Sequence, residues 1–277
     1  MNGTKKEITI DENFLKESQD KNLSQTIKII VCGINGKMGQ VLTNLINSRN
    51  DCKLVAGVDK SEAFYKGKNY QTYTFKDDLS LLDADVIIDF SHPDMLDSLL
   101  KFSLNKKIPL VICTTGFFEE QISKIHVASE QIPIFFSGNM SLGINLLIEL
   151  SKKAIKVLGD NFDIEIIEKH HNQKIDAPSG TALMIANAIS SEKQNSEYIF
   201  DRHQKREKRK QNEIGIHSVR GGTIVGEHEV IFAGQNELIS ISHSAQSKEI
   251  FALGALKAAN FVCSCEEGLY SMQDLLN

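Results

Sequence analysis

From residue 27 onward the chain repeats one pattern: a short apolar run, a turn of small polar residues, then apolar residues at helical spacing. Ile27-Lys28-Ile29-Ile30-Val31-Cys32 is rich in β-branched residues, is bounded by Gly33, and predicts a buried strand. Val41, Leu42, Leu45 and Ile46 predict the helix behind it. Further strands are predicted at 53–58, 86–90, 110–113 and 132–136. Helices after the strands at 86–90 and 110–113 reach about Asn105 and Glu130. Such alternation builds βαβ units, and their strands form a parallel sheet.

The period changes after Ser141. Ile144, Leu147, Ile148, Ile155 and Leu158 mark a long helix, and Phe162, Ile164 and Ile166 alternate in a strand that runs into His170. More strands are predicted near 214–219, 223–232 and 238–244, with a hairpin at Gly234-Gln235-Asn236. The segment 248–262 is helical again and is expected to return over the first domain. The expected fold class is α/β: a parallel-sheet domain (27–141 plus 248–277) and an α+β domain with an open, mixed sheet (142–247). Residues 1–26 are polar and lack a sustained period, so they are expected to form a mobile extension.

Charge and cysteine usage narrow the function. Thirty-one basic against 36 acidic residues give a net charge of −5, which argues against generic nucleic-acid binding. No apolar run approaches the roughly 20 residues that cross a bilayer, and the N-terminal stretch has no apolar core of a secretory signal. Cys32, Cys52, Cys113, Cys263 and Cys265 are odd in number and scattered, with no C-x-x-C pair. That pattern predicts neither a metal site nor a disulfide framework, and it suits the cytoplasm. Arg202, Lys205, Arg206, Lys208, Arg209 and Lys210 cluster in a polar stretch without interleaved aromatics, and read as a solvated surface loop.

Two segments carry candidate chemistry. Gly33, Gly36 and Gly39 sit between a predicted strand and a predicted helix, where free N–H groups can receive a pyrophosphate. Asn35 stands where the common G-x-G-x-x-G pattern has its second glycine; alone, the segment also reads as a plain strand-to-helix turn. Asp59 ends the next strand 20 residues after Gly39, where a carboxylate accepts from ribose hydroxyls. It would repel a 2′-phosphate and so favour NADH, although Lys60 beside it offsets the charge. The loops Cys113-Thr114-Thr115-Gly116 and Ser137-Gly138-Asn139-Met140 fall on the same carboxyl edge and could line the nicotinamide.

The second segment, Glu168 to Ala182, holds His170, His171, Lys169 and Lys174 just before a helix opened by Ser179-Gly180-Thr181. Free N–H groups and hydroxyls at a helix start suit a carboxylate. The histidines are adjacent and face opposite ways in an extended chain, so acid–base or substrate-binding roles fit better than a metal. Lys174 can hold an anionic substrate or donate a proton.

E-x-H-H-x-x-K-x-D-A-P-S-G-T-A and G-x-x-G-x-M-G together resemble the 4-hydroxy-tetrahydrodipicolinate (dihydrodipicolinate) reductase family. The likeness runs from about Ile27 to the C-terminus through V-I-I-D-F-S-H-P, T-T-G-F, N-M-S-L-G-I-N, V-R-G-G-T-I-V-G-E-H and F-A-L-G-A-L. It implies a Rossmann-like cofactor domain, a substrate and tetramerisation domain, and NADH- or NADPH-dependent reduction of a cyclic imine dicarboxylate in the diaminopimelate route to lysine. By position, His170 matches the family's acid–base histidine and Lys174 its proton-donating lysine, while His171, Gly180 and Thr181 match substrate contacts. Gly33, Ile34, Asn35, Gly36, Lys37, Met38, Asp59, Cys113, Thr114, Thr115, Ser137, Gly138, Asn139 and Met140 match cofactor contacts. Gln173 (where a basic residue is common), Asn35, Cys113 and His92 depart from the family pattern. The rival readings are a catalytically inactive NAD(H)-sensing regulator, which would need neither His170 nor Lys174, and a two-domain dehydrogenase of another carbonyl substrate, against which P-S-G-T-A argues.

Overall fold

The computed structural model describes residues 26–60, 72–77, 79–193, 195–203 and 205–276. The predicted N-terminal extension therefore lies outside the described residues, save Thr26.

Seven strands form the first sheet: β1 (Ile27–Cys32), β2 (Cys52–Val58), β3 (Thr72–Tyr73), β4 (Val86–Asp89), β5 (Leu110–Ile112), β6 (Pro133–Phe136) and β12 (Gly268–Tyr270). Their order is β12-β6-β5-β4-β1-β2-β3, and every pairing is parallel. Helices α1 (Lys37–Asn47), α2 (Leu96–Lys106) and α3 (Glu119–Ser129) make the crossovers. The order 3-2-1-4-5-6 is that of a dinucleotide-binding sheet, and it reverses direction between β1 and β4. Two short strands of this sheet escaped the sequence reading, as did β8 (Glu197–Ile199) of the second. β3 has two residues and β12 three, too few for a period to register.

Two cores sandwich this sheet. On one face Ile30, Ile87, Leu99, Leu110, Ile125 and Ile134 join α2 and α3. On the other Ile29, Val31, Leu42, Ile46, Val86 and Phe135 meet α1 and the late helix α6 (Glu249–Val262). Helix α6 buries Ala252, Gly254, Ala255, Ala258 and Ala259. Small residues let it ride close to the sheet, and a Cβ at Gly254 would strike the Met140 carbonyl. The returning helix thus presses directly on the loop after β6.

The second sheet is mixed, in the order β11-β10-β7-β9-β8. Its strands are β7 (Asp163–His170), β8 (Glu197–Ile199), β9 (Glu213–Arg220), β10 (Gly226–Ala233) and β11 (Leu238–Ala245). Helices α4 (Leu142–Leu158) and α5 (Gly180–Ser190) cover one face, through Ile144, Leu147, Ile164, Ile166, Ile185, Ile189, Val230 and Phe232. The hairpin between β10 and β11 closes with Gly234 N–H donating to the Glu237 carbonyl (2.9 Å). Strand β10 starts three residues later than its pattern predicts, because a turn from Gly221 to Ile224, with Gly222 at φ 49°, takes up the start of that stretch. The last helix is α7 (Met272–Leu276).

The basic run departs from a plain solvated loop. Arg209 bonds Asp163 (2.7 Å) and Glu165 (2.9 Å) on β7, Arg202 pairs with the buried Glu213, and Lys205 reaches Glu197 (3.1 Å). These cations neutralise strand carboxylates, while Arg206 and Lys208 point to solvent. Among the described residues no helix is long and apolar enough to cross a membrane.

Candidate active site

The carboxyl ends of the parallel strands open on a cleft of about 940 Å³ that the loop after β7 and the start of α5 also border. Lys37, Met38, Phe90, His92, Cys113, Thr114, Thr115, Gly138, Asn139 and Met140 line it from the first sheet. Lys174 enters from the loop after β7, Thr181 from the first turn of α5, and Lys248 and Phe251 from the start of α6. Asn139 Nδ2 donates to Thr181 Oγ1 (3.0 Å), so the loop after β6 is tied directly to the start of α5. Asn139 also accepts from Ser141 N–H through Oδ1 (2.9 Å), which fixes its amide orientation.

The glycine turn is backbone architecture. Gly33 takes φ 73°, and a Cβ there would overlap the Phe90 carbonyl. A Cβ on Gly39 would strike the Gly33 carbonyl, so Gly39 sets how close α1 lies to β1. Asn35 is not in left-handed backbone; the left-handed position is Gly33, which is why an asparagine can replace the second glycine. Helix α1 starts at Lys37 with no side-chain cap, leaving its first-turn N–H groups for an anion.

Asp59 does more than end a strand. Its Oδ2 accepts from Asn35 N–H (2.9 Å) and its Oδ1 from Lys60 N–H (2.7 Å), so it staples the turn to β2. A carboxylate has about four acceptor positions, which leaves capacity for ribose hydroxyls. Lys60 Nζ pairs with Asp94 (3.0 Å), as does His92 (3.1 Å), so the Lys60 charge is partly spent away from Asp59. The Asn35 side-chain Oδ1 and Nδ2 are buried without a partner. Orphaned amide atoms, an uncapped helix start and a turn that excludes Cβ atoms together fit a dinucleotide.

On the other wall, β7 ends at His170, and alternation puts Glu168 on the same face. The Glu168 side chain is fully buried. It accepts from His170 Nδ1 (2.6 Å), from both terminal nitrogens of Arg220 (2.7 Å each) and from Ser179 N–H (3.1 Å). Burial opposes its ionisation, but the Arg220, Ser218, His170 and Ser179 hydrogen bonds hold its pKa down at about 2. Burial lowers the His170 pKa, and Glu168 resists that shift.

Ser179 caps α5 by accepting from Ala182 N–H (3.2 Å), and its hydroxyl meets His228 Nε2 (3.1 Å). His228 is buried, and desolvation pushes its pKa down to about 4. Lys174 Nζ pairs with Asp176 (2.8 Å) and remains partly exposed to the cleft. Asp176, Ala177 and Pro178 form the exposed loop into α5, with a cis Ala177–Pro178 bond.

The cleft therefore unites Lys37, Met38, Cys113, Thr114, Thr115, Gly138, Asn139 and Met140 with Lys174 and Thr181. Gly33, Ile34, Asn35, Gly36, Asp59 and Ser137 are not among its lining residues. His170, His171 and Gly180 also lie outside that lining, His170 with its side chain 12% exposed at the end of β7. Sequence reasoning assigned nothing to Lys248, Arg220 or His228. Only the tertiary structure carries Lys248 from residue 248 to a wall built near residue 140. Glu168 had a readable signal, its i, i+2 spacing to His170 on a strand.

Dinucleotide-binding sheets that share a cleft with a second, mixed sheet belong to the two-part nicotinamide-dependent oxidoreductases. The solved structure of a probable dehydrogenase from Thermotoga maritima shares this fold (TM-score 0.59, 12% identity, covering 90% of this chain and 92% of that one). Within that class the match is specific. The dihydrodipicolinate reductase N-terminal family model covers residues 27–140, and the C-terminal model covers 143–276. The chain belongs to the dihydrodipicolinate reductase family.

The 4-hydroxy-tetrahydrodipicolinate reductase of Caldanaerobacter subterraneus subsp. tengcongensis is 54% identical over 251 residues, covering 90% of this chain and 98% of the relative. That of Clostridium tetani is 49% identical over 255 residues, covering 91% and 97%. The dipicolinate-bound dihydrodipicolinate reductase of Paenisporosarcina sp. TG-14 superposes with a TM-score of 0.74 at 25% identity, covering 89% and 98%. The activity is NAD(P)H-dependent reduction of a dihydrodipicolinate-type cyclic imine to tetrahydrodipicolinate, in lysine biosynthesis. The relatives are named as reductases, which favours the enzyme over the silent nucleotide sensor.

Proposed function

We propose that the cleft holds the dinucleotide along the parallel sheet and the cyclic dicarboxylate against Lys174 and the start of α5. One observation carries this reading: the Asn139–Thr181 hydrogen bond joins the two walls at the point where both sets of residues meet. The first-turn N–H groups of α1 and the backbone of Gly33, Ile34, Asn35, Gly36, Lys37 and Met38 take the pyrophosphate, and Asp59 takes the ribose. Cys113, Thr114, Thr115, Ser137, Gly138, Asn139 and Met140 flank the nicotinamide. The bound nicotinamide supplies hydride.

Gly180 and Thr181 offer N–H and hydroxyl donors to one substrate carboxylate, with His171 and Lys248 supporting the dianion. As the ring gains an electron pair, the Lys174 ammonium stabilises the charge and supplies a proton. His170 exchanges protons at Nε2, since Nδ1 is committed to Glu168. The dipicolinate held by the Paenisporosarcina relative is a cyclic dicarboxylate of the same kind. Residues 27–141 with 248–277 would form the cofactor domain and 142–247 the substrate domain. The sheet face turned away from α4 and α5, which carries Ile167, Ile231 and Val219, would pack between subunits of a homotetramer. Five unpaired thiols support a cytoplasmic setting.

The test is oxidation of NADH and NADPH with freshly generated 4-hydroxy-tetrahydrodipicolinate. Loss of turnover in Lys174→Ala with cofactor binding intact is the expected result. Wild-type turnover in a His170→Ala/Lys174→Ala double variant would remove the assignment.

A further inference from the structure

We propose that Glu168 is a positioning residue that fixes the His170 ring and the start of α5 as one unit, presenting His170 Nε2 and the α5 N–H groups to the substrate together. This rests on the reading of His170 as the acid–base group.

Glu168 and His170 are two residues apart on β7, so both side chains project to the same inward face. That face is otherwise apolar: Ile164 and Ile166 precede Glu168 on it and are fully buried. A carboxylate at the next inward position costs desolvation free energy unless every lone pair is used. Here all of them have work. One oxygen receives His170 Nδ1–H and Arg220 Nη1; the other receives Arg220 Nη2 and Ser179 N–H. Arg220 Nη2 also donates to the Asp176 carbonyl (2.6 Å), which pulls the loop between Lys174 and Pro178 onto the same carboxylate. One buried group therefore holds β7, β9, the α5 cap and the loop from Lys174.

Two consequences follow from the direction of these bonds. An ionised carboxylate only accepts, so the proton on the bonded imidazole nitrogen is on Nδ1. Neutral His170 is then the Nδ1–H tautomer, and its Nε2 has no protein partner among the described residues. Gly226 leaves room there, since a Cβ would stand 3.1 Å from Nε2. The second consequence concerns charge. The groups facing His170 are Glu168 on its own strand, Arg220 on β9, His228 on β10 and Lys174 in the loop. Glu168 is the one anion among them, and it alone favours the imidazolium. Removing its charge leaves the Arg220 and Lys174 cations, both of which disfavour protonation.

The experiment combines one wild-type measurement with a double-mutant cycle. Nitrogen NMR of His170 in the wild-type protein should show the Nδ1–H tautomer above its pKa; an Nε2–H tautomer overturns the proposal whatever the variants do. In steady-state assays, Glu168→Gln should lower kcat by about 10–100-fold, the usual scale for groups that orient an active ligand or base. It should raise the substrate KM several-fold through the loosened α5 start, and leave the NADH Kd unchanged. The pH-profile limb that belongs to His170 should move to lower pH. Glu168→Asp, which keeps the charge, should restore that limb more than the rate. In a His170→Ala background, Glu168→Gln should cost little more. Full additivity, or an unmoved limb with a slowed Glu168→Gln enzyme, overturns the positioning role. If His170→Ala itself keeps wild-type turnover, the acid–base reading fails instead, and the two failures are told apart by that single variant.

Discussion

The two walls of the cleft recognise their ligands by opposite means. The first wall is almost entirely backbone. Gly33, Gly36 and Gly39 shape a turn, an uncapped helix offers N–H groups, and Asp59 is held by two main-chain amides. The second wall is a side-chain network: Glu168, His170, Arg220, Ser179 and His228 are buried or nearly so and bonded to one another. Backbone sites depend on what is missing at each position, and side-chain sites on what is present. The first should therefore be damaged mainly by added atoms, the second by deleted or recharged ones.

The largest effect should come from deletion on the second wall. Lys174→Ala or His170→Ala should cut kcat by about two decades or more, the scale of acid–base groups, while a fluorescence titration with NADH gives the wild-type Kd. Equal losses of rate and cofactor affinity would erase the division of labour between the walls.

Addition should do the corresponding harm on the first wall. Gly33→Ala places a Cβ against the Phe90 carbonyl at φ 73°, and should cost about 1–3 kcal/mol of stability together with much of the NADH affinity. Thermal melts and the same titration check it. A variant that binds NADH normally would show that this turn tolerates side chains and that the contrast is false.

Acid should act on the second wall first. The folded-state pKa of His228 is depressed to about 4, so the unfolded chain binds more protons between the ordinary histidine value and that point. Stability is full above about pH 6.5 and falls as the pH drops toward 4. Glu168 then takes over: its pKa of about 2 means that stability present above the usual carboxylate value is lost as the pH falls from about 4.5 to 2. Denaturant titrations from pH 7 to 4 should show the slope, and His228→Gln should flatten it. An identical slope in that variant would assign the acid loss elsewhere.

A smaller effect separates the cap from the chemistry. Ser179→Ala removes the hydroxyl that caps α5 and should cost about 1 kcal/mol, with a raised substrate KM and a kcat near wild type. The smallest lies at the cofactor's edge. With Lys60 engaged by Asp94, NADH should bind a few-fold more tightly than NADPH, and Asp59→Asn should narrow that gap. Titrations of both nucleotides decide it.

The contrast also explains how far the sequence could be read. The His–Lys segment was legible because its chemistry resides in residue identity: two imidazoles, two ammonium groups and a helix start in fifteen positions. The glycine turn was weaker, since glycines mark many turns, and Asn35 obscured it further. Glu168 stood inside the motif without a role, because its value depends on Arg220, about 50 residues away in sequence but beside it in the sheet.

What the chain's pattern determined by itself was local: where the longer strands and helices fall, which face of each is apolar, and which fifteen residues hold the reactive groups. Periodicity and capping are short-range, so they survive in a linear reading. Tertiary structure alone decided the sheet order, the seventh strand at residues 268–270, the approach of Lys248, and the sharing of one buried carboxylate among β7, β9 and α5. Those are long-range pairings, chosen by which surfaces bury each other and which buried charges find partners, and no window of sequence contains them.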